Sequence, residues 1–119
     1  MAGAALLIVE DEIIIAELIG DVLDSAGFGP CRHAATVAQA LAAAQNDALR
    51  GAILDVHVAG ELVFPVAEVL QKRGLPFAFS TGSGDGGAIP AHLAAAPCLP
   101  KPWSADDLTR LAQNLFKVS

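Results

Sequence analysis

The chain has 119 residues, 54% of them hydrophobic, with a net charge of -6 at pH 7 and an isoelectric point near 4.7. That length holds one ordinary domain with a core that needs no disulfide or metal as support, and seven scattered Lys and Arg residues exclude the basic footprint that nucleic-acid phosphates require. The mean hydropathy of +0.52 looks membrane-like, yet no apolar run approaches the roughly 18 residues of a spanning helix, so proteins are the expected partners, with no nucleic acid and no membrane.

Apolar strands alternate with helical periodicity along the whole length, which is the α/β pattern. The start, Met1-Ala2-Gly3, lacks a basic region and the apolar run that follows is cut by Glu10, so no signal peptide is read and a cytoplasmic location is the expectation. Strand one covers Ala5 to Val9. Helix one carries Ile15, Leu18, Ile19, Val22 and Ala26 at helical spacing, and Gly27 stops it. Strand two spans residues 30–34, Thr36 caps helix two, and Val37, Ala40, Leu41 and Ala44 form its inward stripe.

Strand three spans residues 51–54 and ends at Asp55; Leu62, Val66, Val69 and Leu70 give helix three its apolar stripe before Gly74 and Pro76. Strand four spans residues 77–80 and leads into Gly82-Ser83-Gly84-Asp85-Gly86-Gly87, expected to be flexible, then a short helix within residues 88–96. This glycine run satisfies G-x-G-x-x-G in letters, but a dinucleotide fingerprint belongs on the first strand-to-helix turn. Strand five lies around Cys98 and Leu99. Ser104-Ala105-Asp106-Asp107 opens the last helix with a capping box, and Leu108, Leu111, Ala112 and Leu115 face inward.

In open α/β sheets ligands bind beyond the carboxyl ends of the strands. The Glu10-Asp11-Glu12 cluster, Asp55, Ser80-Thr81 and Lys101 each follow an apolar run, so one crevice gathers them. A carboxylate that attacks phosphorus needs cations to offset the converging negative charge. Mg²⁺ takes hard oxygen ligands, which Asp11, Asp55 and Glu10 offer, while Lys101 supplies a compact positive charge and Thr81 a hydroxyl donor.

These residues, in this order and spacing, resemble the receiver domain of bacterial two-component response regulators over residues 5–118. The resemblance implies a doubly wound, flavodoxin-like (βα)5 fold, with a parallel five-stranded sheet of order 2-1-3-4-5. It implies Asp55 as phosphoacceptor, Glu10 and Asp11 as the acidic pair around Mg²⁺, the His57 backbone carbonyl in the metal shell, Thr81 as switch hydroxyl and Lys101 as the phosphate-binding lysine. It further implies a histidine kinase or phosphotransfer protein as donor and a protein target downstream.

Many receivers carry Tyr or Phe three residues before the lysine; Cys98 stands there, and the chain has no Tyr. The segment Pro76-Phe77-Ala78-Phe79-Ser80-Thr81-Gly82-Ser83-Gly84 is similar to the motif of single-domain FATGUY receivers, with Ser83 in place of its Tyr. Coupling to partners is therefore expected to run through the glycine-rich loop, ordered by phosphorylation.

The chain stops after the fifth helix, so a single receiver domain over 1–119 without an output domain is the expectation. The competing readings are an excised receiver of a hybrid histidine kinase and a Mg²⁺-dependent phosphohydrolase using Asp55. The module is not expected to turn over small substrates; it catalyses only its own phosphorylation and dephosphorylation. Glu12 is expected to complement the positive end of helix one, Trp103 to pack the loop onto the last helix, and His33, His57 and His92 to bind no metal. Cys31 and Cys98 fall on opposite sheet edges, too far apart for a disulfide, so two free thiols are expected.

Overall fold

A computed structural model describes residues 4–82 and 88–116. Ser83 and the remainder of the glycine run to Gly87 lie outside the described residues, so the loop expectation does too. Five parallel strands form the sheet: β1 (Ala5–Val9), β2 (Cys31–Ala34), β3 (Leu49–Asp55), β6 (Phe77–Thr81) and β7 (Cys98–Pro100), in the order β2-β1-β3-β6-β7. Counting sheet strands alone, this is 2-1-3-4-5. Strands β4 (His57–Val58) and β5 (Glu61–Leu62) form a separate antiparallel hairpin. The helices are α1 (Ile13–Ser25), α2 (Val37–Asn46), α3 (Phe64–Lys72) and α4 (Ala105–Leu115).

Both faces of the sheet are covered, which is why strands such as Leu6-Leu7-Ile8-Val9 read as continuous apolar runs. The side chains of β1 alternate between two cores. Ala5, Leu7 and Val9 join Phe77 and Phe79 and the buried faces of α2 and α3, whereas Leu6 and Ile8 join Ile53, Leu99 and the buried faces of α1 and α4. Phe79 meets Phe64 and Phe77 edge to face, at centroid distances of 5.8 and 5.7 Å. Gly51 lets α4 close on the sheet, because a Cβ there would fall 2.6 Å from the Pro76 carbonyl oxygen and against the Phe116 ring.

The caps follow local chemistry. Thr36 Oγ1 accepts from the Gln39 amide at 3.1 Å, and Ser104 and Asp107 bond each other's main chain reciprocally. Gly27, just past α1, adopts φ 89°, the left-handed conformation that ends helices cheaply.

Three expectations need correction. The buried face of α1 is Ala16, Ile19 and Leu23; Leu18 is half exposed and Ala26 lies beyond the helix, exposed. Nearly every turn of α1 carries aliphatic residues on two sides, so spacing alone did not select the face that meets the sheet. Leu62 belongs to the β4–β5 hairpin and is 44% exposed; α3 buries Phe64, Val66, Ala67 and Leu70. The fourth helix reduces to one 3₁₀ turn, Ala91–Leu93, because Pro90 and Pro97 bracket a segment too short for α-helical bonding to propagate. Glu12 stands at the N-cap position of α1, at the positive end of the helix where a carboxylate is favoured, without a side-chain capping bond.

Cys31 and Cys98 are free thiols on the two edge strands, as the strand order requires. Among the described residues no helix is long and apolar enough to cross a membrane.

Candidate functional site

The carboxyl ends of β1, β3, β6 and β7 deliver the acidic and basic residues to one rim. Parallel register does the placing: Val9 pairs with Leu54, Asp55 with Ser80, and Thr81 with Pro100, so residues directly after each strand become neighbours. Ligating oxygens of Glu10, Asp11 and Asp55 all lie within 4.8 Å of one another. Lys101 Nζ reaches Asp55 Oδ2 at 3.2 Å and Glu10 Oε1 at 3.9 Å.

Burial differs sharply within this cluster. Glu10 is 1% exposed, whereas Asp11 is on the surface. Burial is the main reason the Glu10 carboxyl is pushed up to about 7, with the nearby Asp55 charge acting in the same direction against the Glu12 amide, which donates to Glu10 Oε2 at 3.0 Å. Asp11 is held below the usual carboxylate range, chiefly by the Ala59 amide, which donates to Asp11 Oδ2 at 3.0 Å. Burial alone would lower the Lys101 ammonium, but Asp55 beside it, with Glu10 and Glu12, leaves it above its ordinary value.

Thr81 is buried at the end of β6, and its carbonyl accepts from the Lys101 amide at 2.7 Å, tying β6 to the loop after β7. His57 opens the hairpin two residues past Asp55 and is exposed. Cys98 is exposed on the edge strand opposite Phe79, with its thiol raised by burial of the sulfur region, so no ring occupies that position.

The structure also supplies contacts that spacing did not reveal. The hairpin tip turns through Ala59 and Gly60, at φ 51° and 83°, and thereby points the Ala59 amide at Asp11. Main-chain donors leave no signature in side-chain letters, and Ala59-Gly60 is not one of the dipeptides that mark a tight hairpin. His33 Nε2 lies 2.7 Å from the Glu10 carbonyl oxygen and braces the acidic loop from β2. His92 is paired with Glu68 of α3 at 3.1 Å.

Three carboxylates, with an ammonium at hydrogen-bonding distance from one of them, can hold a hard divalent cation and offset charge at an attacking aspartate. No family model matches the chain, and no curated protein matches it. Solved structures do. SdrG from Sphingomonas melonis Fr1 is 38% identical at a TM-score of 0.78, with 93% of this chain and 94% of that one covered. The receiver domain of NtrX from Brucella abortus is 28% identical at a TM-score of 0.81, covering 96% and 99%. The receiver domain of sensor histidine kinase PA1611 from Pseudomonas aeruginosa PAO1, solved with magnesium in its active-site cleft, is 22% identical and shares the fold at a TM-score of 0.81, covering 98% and 100%. With this fold, this rim and these relatives, the chain belongs to the response-regulator receiver domains of two-component signalling.

Proposed function

We propose that the described rim is a phosphoacceptor site in which Asp55 takes a phosphoryl group from a phosphohistidine on a histidine kinase or phosphotransfer protein. An Asp55 carboxylate oxygen forms the new P–O bond while the donor's P–N bond breaks, its electron pair leaving on the imidazole, which takes a proton. The observation that carries this reading is Lys101 Nζ at 3.2 Å from Asp55 within a cluster of three convergent carboxylates.

The donor set fits Mg²⁺: all-oxygen, anionic and open on the Asp11 side. Glu10, Asp11 and Asp55, with the His57 carbonyl, would hold the ion, and the charge it supplies would offset the phosphoryl oxygens. Lys101 pairs with the same oxygens from the other side, and the Thr81 hydroxyl serves as the group whose position reports the phosphorylated state. Changed partner binding follows from that report. The chain acts as a single receiver module, cytoplasmic, that modifies itself and turns over no small substrate.

Incubation with acetyl phosphate and Mg²⁺ followed by intact mass tests this. One phosphoryl addition is expected, lost without Mg²⁺ and lost in Asp55→Asn. Addition that survives Asp55→Asn would overturn the assignment.

A further inference from the structure

Ser80 is a hydroxyl in an otherwise apolar strand segment, Phe77-Ala78-Phe79, and it is only 2% exposed. A buried hydroxyl is unfavourable unless it is hydrogen-bonded. Its partner is the Trp103 indole, whose Nε1 donates to Ser80 Oγ at 3.4 Å, a long and therefore weak bond beyond the usual range of about 2.7–3.2 Å. The ring is half-buried against the α1–α4 core that includes Leu6, Ile8, Leu99 and Leu108.

This pair lies where it matters for the rim. Ser80 is the register partner of Asp55, and Thr81 next to it accepts from the Lys101 amide at 2.7 Å. The short segment from Lys101 to Trp103 is therefore tied to Ser80-Thr81 at both ends, by main chain at one and by the indole at the other. A lysine stem has four rotatable bonds, so the direction of its ammonium depends on how firmly its backbone is held. A phenylalanine would keep an aromatic ring there, though a smaller one, and could not donate.

We infer that Trp103, through its bond to Ser80, is a positioning residue that holds the Lys101 loop so that the ammonium faces Asp55. The inference rests on the phosphoacceptor reading for its kinetic consequence, but the geometric part stands apart from it.

The test uses Ser80→Ala, Trp103→Phe and the double variant. With acetyl phosphate over a concentration series, each single change is expected to lower the saturating phosphorylation rate about three- to tenfold, with the half-saturating concentration little changed. The double variant should be no slower than the slower single variant, because both remove one bond. Hydrogen exchange at the Lys101 amide, measured with no phosphoryl donor, should accelerate in all three. Wild-type rates in either single variant, effects that multiply in the double, or unchanged exchange at Lys101 would overturn the inference. If the wild-type chain gains no phosphoryl group, the phosphoacceptor reading falls, and amide exchange alone then decides the positioning of Lys101.

Discussion

The two halves of the rim are held by different kinds of bond. On the β1 side, Glu10 and Asp11 each accept from a backbone amide, those of Glu12 and Ala59. On the other side, formed by β3, β6 and β7, Asp55 meets a side chain, Lys101, and that residue's loop is braced by another side chain, Trp103. Main-chain donors cannot be deleted by ordinary substitution, so the acidic half depends on backbone conformation and burial. The basic half has one main-chain tie, from the Lys101 amide to the Thr81 carbonyl, and otherwise depends on individual side chains.

The contrast has measurable consequences beyond the loss of phosphorylation expected in Asp55→Asn. Glu10 gives the largest effect on stability. Its folded-state carboxyl titrates near 7 against an ordinary 4.5, so between those values the folded chain keeps a proton that the unfolded chain has released. Stability from this group is fully present below about pH 4.5 and is lost as pH rises through 7, by on the order of 3 kcal/mol. Urea unfolding in the absence of metal at pH 5 and pH 7.5 should show this fall, and Glu10→Gln should remove most of the difference from wild type. At the proposed Mg²⁺ site the ion would compete with the same proton, so its affinity should rise over the same interval.

Lys101→Ala comes next, lowering phosphorylation by acetyl phosphate about a hundredfold. Mg²⁺ titration should give an affinity equal to or above that of wild type, since a competing cation is gone. A similar loss of metal affinity would show that the two halves are not separable.

Ala59→Gly probes the acidic half through its backbone. Ala59 holds φ 51°, a conformation that costs a non-glycine residue about 1 kcal/mol or more, so glycine should raise stability by up to about 1 kcal/mol while the amide still reaches Asp11. Thermal unfolding, with the Asp11 carboxyl followed by NMR, reads both parts.

The smallest effect concerns the frame that both halves share. Two thiols should titrate in denaturant without reductant, and in the folded chain Cys98, exposed, should alkylate before Cys31, half-buried with its thiol raised by burial and by Asp24. A missing thiol pair would contradict the placement of Cys31 and Cys98 on opposite edges.

Much of this was legible beforehand where a residue acts through local chemistry. Thr36 and Ser104 cap their helices as their letters indicate, because a capping hydroxyl needs only its own next turn. The rim residues were legible for a related reason: apolar runs mark strands, and a parallel sheet brings the residues after those strands to one end. Leu18 and Leu62 were misplaced because hydrophobic spacing says that a residue is apolar without saying what covers it, and neither meets a core.

The order of apolar runs, the helix caps and the identity of the acidic, hydroxyl and lysine groups at the strand ends are properties of the chain alone, since each follows from bonds between residues close in sequence. The hairpin that turns the Ala59 amide to Asp11, the depth that raises Glu10, and the reach of Trp103 to Ser80 were decided only by folding. Those contacts join residues 48 and 23 positions apart in the case of Ala59–Asp11 and Trp103–Ser80, and their geometry depends on how sheet and helices pack, which no local pattern encodes.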